Sequence, residues 1–549
     1  MKMTLLLAPV MAAFITMSAM TASASAGTFR YSTSGDVLGL DPYLNNEGPT
    51  NAMKDNIYEG LLHRAWDLSL QPALATEWEQ LEPTRWRFKL REGVTFHNGN
   101  PFNADDVLTS FERIRSKQSD MSFAVTTIER IDKIDDYTID IITSAPDPTL
   151  LLSLPRFWIM DEEWLEQNNA MTVARGATAS HYANTHVNGT GPFILVERVA
   201  DTRTVLEPNP HWWGEPTHNL TKAIFQPIAN DATRLAAFLS GELDLIYPVP
   251  PQDIDRINRT KGVDVLEGPE LRIIFLGFDQ WRDEALDMPG SGKNPFKDVR
   301  VRRAFYHAID IEAISRVVMR GASTPTGLMI APGINGYPGE EMNLRLPYDP
   351  EAAKRLLAEA GYADGFPVTF DCPTDRYVND EAICTAIVPM LERIGIRVMP
   401  NFQTKSLWQD KIGAKQGNRT SFYMLGWTPT SFDAFNALQN VMTLNPEGHG
   451  IWNAGRYSNP RVEALTLQIQ REIDQDKRNA LIKEAFQIHQ DDVGHIPLHQ
   501  QFLAWGVADT VADIKQRPSN DVDLRYVRMR SASDDAATQT PPGRSDVRP

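Results

Sequence analysis

The 549-residue sequence is short of cysteine, of surplus positive charge and of long apolar runs, and each shortage removes a class of protein. Lys and Arg number 54 against 71 Asp and Glu, a formal charge of −17, whereas nucleic-acid binding needs concentrated basic side chains to neutralise phosphates. We read the acidity as a contribution to solubility. Past the first 26 residues no stretch approaches the roughly 18 uncharged apolar residues that a membrane-spanning helix requires. With 42% apolar and 23% charged residues, what remains has the composition of a globular chain.

The common catalytic templates are missing as well. No G-x-x-x-x-G-K-[ST] occurs; Gly290-Ser-Gly-Lys-Asn294 lacks the first glycine and the hydroxyl that would hold magnesium, so it reads as a flexible loop. There is no G-x-S-x-G, S-x-x-K or G-x-G-x-x-G. Adjacent carboxylates such as Asp105-Asp106 and Asp491-Asp492 are explained by helix ends, and nothing demands an acid/base pair. His495 and His499 have the i, i+4 spacing of a helical metal pair, but Pro497 between them disfavours a helix, and a strand would put both on one face for packing reasons alone. The sequence therefore supports no catalytic residue, no metal site and no cofactor.

What is present begins at the N-terminus. Lys2, an apolar run from Met3 to Met17 and the small residues Thr21-Ala-Ser-Ala-Ser-Ala26 form a signal peptide, residues 1–26, with cleavage after Ala26. The chain is thus expected in an oxidising compartment, where Cys372 and Cys384 favour a disulfide over a metal site. That bridge would tie the end of a strand, Val368 to Cys372, to the first turns of the following helix. Neither cysteine lies at the cleavage site, so no lipid anchor is offered and the protein is expected free in the periplasm. About 520 mature residues exceed what one core serves, which predicts at least two lobes.

Strand and helix signals alternate. Trp86, Phe88 and Leu90 share one face of a period-2 segment, as do Tyr137, Ile139 and Ile141. Between them Asn103 predicts an N-cap, with Val107, Phe111 and Ile114 as the buried stripe. A helix from Asp349 to Ala360 is bounded by Asp349 and Pro350 at one end and Gly361 at the other. Another follows Asp231, with Leu235, Ala236 and Leu239 inward. Two more cover Val299 to Ile309 and Asp380 to Ile394, the second bent at Pro389 and leading to a strand at Ile396 to Met399. The alternation predicts an α/β class.

Trp78 and Trp86 read as core. Trp427, Trp452 and Tyr377 instead sit in Gly-, Pro- and Thr-rich loops, where they either line a ligand cleft or pack on their own lobe. After Arg530 the chain turns polar and residues 531–549 are expected to be disordered.

One long stretch identifies the chain more sharply: Trp86-Arg-Phe-Lys-Leu-Arg-Glu-Gly-Val-Thr-Phe-His-Asn-Gly-Asn-Pro-Phe-Asn-Ala-Asp-Asp-Val107. Tyr58-Glu-Gly-Leu61 precedes it. Gly189-Thr-Gly-Pro-Phe193, Asn209-Pro-His-Trp-Trp213, the Arg234 to Asp244 segment, Asn294 to Arg303, Ala308-Ile-Asp310 and Tyr348-Asp-Pro-Glu-Ala-Ala353 follow in order. Together they resemble the family-5 extracellular solute-binding proteins, whose members import dipeptides, oligopeptides, nickel complexes, opines and some oligosaccharides.

The resemblance implies a two-lobed periplasmic binding protein (type II-like, class C) that delivers a small solute to an ABC permease driven by ATPase subunits, acting as a monomer without chemistry. Lobe I would comprise residues 27–290 plus 500–530, with an inserted subdomain at about 63–188, and lobe II residues 291–499, joined by two crossing segments. It places Arg376 and Tyr377 where peptide binders carry an Arg and a Tyr toward the ligand, and Trp408 near another lining aromatic. Trp427 matches a tryptophan that peptide binders follow, three residues on, with an aspartate for the peptide's amino terminus; here that position is Thr430. Asp433 matches a general family acid. Ser32, Thr33 and Ser34 would face the cleft from lobe I. An opine, oligosaccharide or metal-chelate ligand, or a periplasmic hydrolase, are the competing readings.

Overall fold

Local sequence rules set most of the helix ends. In the computed structural model, which describes residues 27–174, 182–413, 418–444 and 450–531, Asn103 caps Ala104–Ile114 and Asp106 closes a capping box back onto the Asn103 N–H. Asp349 accepts from Ala352 N ahead of Pro350–Glu359, and Gly361 ends that helix at φ +84°. The other expected helices run Asp231–Leu239, Val299–Ala308 and Asp380–Glu392. In the first of these Asn230, not Asp231, is the cap, and the inward face is Arg234, Leu235 and Phe238, with Ala236 exposed. Arg234 turns inward because its guanidinium donates to Ile228 O and Pro248 O. The strand expected at Ile396 to Met399 extends over Arg397–Gln403. Trp78 and Trp86 pack on the core as expected but stay half-buried.

Among the described residues one eleven-stranded sheet runs through the molecule. Its order is Arg397–Gln403, Pro367–Pro373, Phe422–Trp427, Val263–Phe278, Ile496–Ala508, Leu245–Ile246, Thr28–Ser32, Lys222–Phe225, Arg203–Pro208 and Phe193–Val199, with Ser323–Pro325 paired off Ile496–Ala508. A separate four-stranded antiparallel sheet carries the Trp86 segment.

Helices and loops build two large apolar cores against the eleven-stranded sheet. One gathers residues from Phe29 to Tyr247 with Leu503 to Met529; the other runs from Leu271 to Leu498. The first includes the signature segment as structure, with Phe88, Phe96 and Phe102 buried, and in it buried Glu59 accepts from Trp212 Nε1, Trp213 Nε1 and Thr190 Oγ1, so two separated stretches converge on the carboxylate of a third. The fold is a mixed α/β architecture of two lobes.

Two strands cross between the lobes. Val263–Phe278 and Ile496–Ala508 pair antiparallel along almost their whole length, and the ladder slips twice, by one residue between Ile274 and Phe275 and more widely where Pro269 faces Phe502 but Ile273 faces Gln500. Three residues, Glu270 to Arg272, therefore stand opposite Gln501 alone. The backbone they free is satisfied elsewhere: Leu271 N donates to Pro518 O and Glu270 O accepts from Gln500 Nε2.

Cys372 and Cys384 form a disulfide between the strand Pro367–Pro373 and the helix Asp380–Glu392. Among the described residues no helix is long and apolar enough to cross a membrane. The expected signal peptide, and the expected tail beyond Ser531, lie outside the described residues.

Candidate functional site

Three neighbouring strands in the second lobe run parallel: Pro367–Pro373 pairs with Arg397–Gln403 on one side and Phe422–Trp427 on the other. Their carboxyl ends point the same way, and the loops leaving them share one rim, where open α/β sheets bind ligands. Arg376 and Tyr377 leave the first strand, Lys405 and Trp408 the second, and Thr428 and Thr430 follow Trp427 at the end of the third.

The Arg376–Tyr377 turn is fixed from below, since Asp380 Oδ2 accepts from both backbone N–H groups at 2.8 and 2.9 Å. Tyr377 then lies over Gly426, donating its hydroxyl to Gly426 O at 3.3 Å. A Cβ at position 426 would stand 2.7 Å from the tyrosine ring, so this approach requires glycine. Tyr377 meets Trp408 edge-on at 6.0 Å. Arg376 and Arg272 sit 5.1 and 5.7 Å from the centre of the Tyr377 ring.

The charges there are unevenly matched. Arg272 pairs with buried Glu270 at 2.9 Å, and Gln501 Nε2 donates to the other oxygen of Glu270. Burial opposes the charge on Arg272, yet Glu270 holds its proton affinity above the ordinary value. Among the described residues neither the Arg376 guanidinium nor Lys405 Nζ has an ion-pair or hydrogen-bond partner. Burial pulls the proton affinity of Arg376 down and Arg272 adds to this, against Tyr377, Glu270 and Glu47. Burial and then Arg376 lower Lys405. Glu47 reaches this group from the other lobe, at the start of the helix Gly48–Asp55.

Trp427 is held by Asn436, whose Oδ1 accepts from the indole N–H at 3.1 Å while its Nδ2 donates to Thr430 Oγ1. Trp452 lies 6.2 Å away. Thr430 and Phe432 line a cavity of about 30 Å³ between the lobes, closed on the other side by His63, Arg64, Arg156 and Arg517. Phe432 has φ +56°, a conformation rarely adopted by a bulky side chain, and its ring lies 4.5 Å beneath Arg64. This stacked pair is a contact across the cleft.

The structure thus brings Arg376, Tyr377, Trp408 and Trp427 to one rim, though Trp408 is almost fully buried, its indole N–H without a partner among the described residues. The other candidates are placed differently. Asp433 faces inward: its oxygens accept from Arg478 twice, from Asn335 Nδ2 and from Phe435 N, which occupies the four lone-pair directions of a carboxylate. Ser32 and Thr33 are buried and turn their hydroxyls to their own backbone, Thr33 Oγ1 donating to Gly35 O at 2.7 Å, and only Ser34 is exposed.

His495 and His499 are not brought together as ligands. His495 bonds to His489 at 2.9 Å, and among the described residues no group of three metal-ligating side chains occurs. Arg64, Arg272, Glu270 and Lys405 escaped the sequence reading; Lys405 alone left a trace, just past a strand end and three residues before Trp408.

Comparisons with known proteins agree with this architecture. Residues 69–448 match the model of the bacterial extracellular solute-binding proteins, family 5 middle region, more than half of the chain. Heme-binding protein A of Haemophilus influenzae is 29% identical over 500 residues, covering 87% of both chains. The dipeptide-binding protein of Escherichia coli K12 is 26% identical over 496 residues, 86% of this chain and 89% of that one. The periplasmic binding protein DppA from Helicobacter pylori, solved with the peptide STSA, superposes with a TM-score of 0.76 at 24% identity, covering 92% of this chain and 98% of its own.

Proposed function

Since the chain belongs to the family-5 bacterial extracellular solute-binding proteins, we propose that it is the periplasmic binding component of an ABC importer, closing two lobes on a small solute and releasing it unchanged to a membrane permease. Relatives named for dipeptide and heme binding support the general role. The observation that carries it is Arg376: a guanidinium on the rim of three parallel strands, in a cleft, with no protein anion paired to it among the described residues. Arg376 is half-buried, and a partly desolvated cation without a protein counter-charge is suited to a group supplied from outside.

Arg376 meets an acidic or strongly accepting oxygen of the solute. Tyr377 and Trp427 form the wall beside its body, with Trp408 packed behind Tyr377 and Trp452 beside Trp427. Asp433 positions the Thr430–Phe432 loop through Arg478. We put the lobe boundary at Glu270 to Arg272 rather than at the expected 290/291, because Leu271 onward packs in the second core, and the return to lobe I near residue 500. The ligand stabilises closure only as far as it binds the closed state better, and the Arg64–Phe432 contact belongs to that state.

Native mass spectrometry of protein purified without refolding tests the reading. A small molecule is retained by the wild type, released chemically unaltered, and lost from the Arg376→Ala, Trp427→Ala double variant. Accumulation of a new product, or full retention by the double variant, overturns it.

A further inference from the structure

The cleft carries unbalanced positive charge at two separate points. At the first, neither the Arg376 guanidinium nor Lys405 Nζ has an ion-pair partner among the described residues; Asp375 accepts from the Lys405 backbone N–H and, with Glu47 of lobe I, is within electrostatic reach of Lys405, which leaves two cations against these carboxylates and the Arg272-paired Glu270. The second is the cavity beneath Thr430. Its charged walls are Asp55 and Asp521 against Arg64, Arg156 and Arg517, two carboxylates and three guanidiniums. Asp55 pairs with Arg156 at 2.9 Å and Asp521 with Arg517 at 2.7 Å, which leaves Arg64 over. Arg64 donates to Leu68 O and Leu152 O, and no ion pair reaches it among the described residues.

Burial, then Arg156 and Arg517, push Arg64 down to about 9, so it is still a cation at neutral pH. The segment Gly426–Thr430 joins the two points, touching Tyr377 at one end and lining the Arg64 cavity at the other. Within it Thr428 Oγ1, and against Tyr377 the Trp408 Nε1, are buried without a partner among the described residues. Three carboxylates near the rim are committed elsewhere, Glu270 to Arg272 and Gln501, Asp380 to backbone N–H groups and Asp433 to Arg478, while Asp375 is exposed and accepts from the Lys405 N–H.

From this arrangement, which rests on the binding role proposed above, we infer that the preferred solute is an elongated organic acid with an anionic group at each end, one at Arg376 and Lys405 and the other at Arg64. An ammonium group in the Arg64 cavity would face a cation, with the nearby carboxylates already paired. A free peptide is therefore the wrong charge type at that end, while a peptide or other acid acylated at nitrogen by a dicarboxylate fits both.

The test compares zwitterionic Ala-Phe with N-succinyl-Ala-Phe by isothermal titration on full-length mature protein. The succinyl compound is expected to bind at least tenfold more tightly. Arg64→Gln should abolish that preference. Because Arg64 also ties two carbonyls, Thr430→Asp at an exposed position is the second variant: its carboxylate pairs with Arg64 and should swing the preference at least tenfold toward Ala-Phe. Equal or tighter binding of Ala-Phe by the wild type, or binding of neither compound, overturns the inference. Retention of an unaltered small molecule in native mass spectra decides separately whether the binding role itself stands.

Discussion

Asp433 and Arg478 hold one another through two parallel hydrogen bonds of 2.7 and 2.9 Å, with both side chains fully buried. Asp433 also caps Ala434–Ala437 and receives Asn335, so the pair anchors the loop that presents Thr430 and Phe432. Asp433→Asn leaves the guanidinium of Arg478 without its counter-charge, and breaking such a pair costs about 3–5 kcal/mol. Urea unfolding is expected to show that loss. A residue that touched ligand directly would instead lower affinity with stability unchanged.

The disulfide closes a short loop around the Arg376–Tyr377 turn. Removing both sulfurs with Cys372→Ala and Cys384→Ala is expected to lower stability by about 3 kcal/mol through the larger entropy of the unfolded chain. Wild type unfolded in reductant should match the double variant, and the variant should be insensitive to reductant.

Three histidines in the second lobe are buried and neutral. Burial is the first cause in each, driving His489 and His499 down to about 3 and His495 well below its ordinary value. Their folded affinity for protons is below the unfolded value near 6.5, so the unfolded chain takes up protons first. Stability is therefore present above pH 6.5 and falls as pH drops from there toward 3, by at most about 1.4 kcal/mol per pH unit per histidine. Among the described residues neither ring nitrogen of His499 has a partner, so His499→Leu should flatten this slope at little cost at pH 7. Urea midpoints measured between pH 7 and pH 4 provide the check.

Glu270 joins Arg272 to Gln501 at the point where the crossing strands fall out of register. Glu270→Ala leaves Arg272 beside Arg376 without a counter-charge and is expected to cost about 2 kcal/mol. Small-angle scattering without ligand should show a more open average shape, since the tie from Glu270 to Gln501 between the crossing strands is then lost. An unchanged radius of gyration would place no hinge role on Glu270.

Sequence patterns captured what is local. The cap at Asn103, the Asp349-Pro350 start and the Gly361 stop each depend on neighbours within a turn, and the helices fall where those residues put them. The inward turn of Arg234 was not legible, because it depends on carbonyls that only the folded chain brings near. The site was half legible for the same reason. Tyr377 and Trp427 stood out as aromatics in loops after strands, whereas Arg478 lies 45 residues from Asp433 and Gln501 lies 231 from Glu270. Family resemblance placed Asp433 near the ligand; the fold gives its oxygens to Arg478, and no spacing rule links the two.

The break in the paired crossing strands also bears on the energetics of motion. Glu270 to Arg272 have no ladder partners to lose, and their backbone is tied to Pro518 and to the Gln500 side chain. Swinging one lobe about this point therefore leaves the rungs on either side intact, like a page turning on a sewn spine. The resting angle is then governed by a handful of side chains and by the segment at Pro518, whose carbonyl holds Leu271 N–H from outside the pocket.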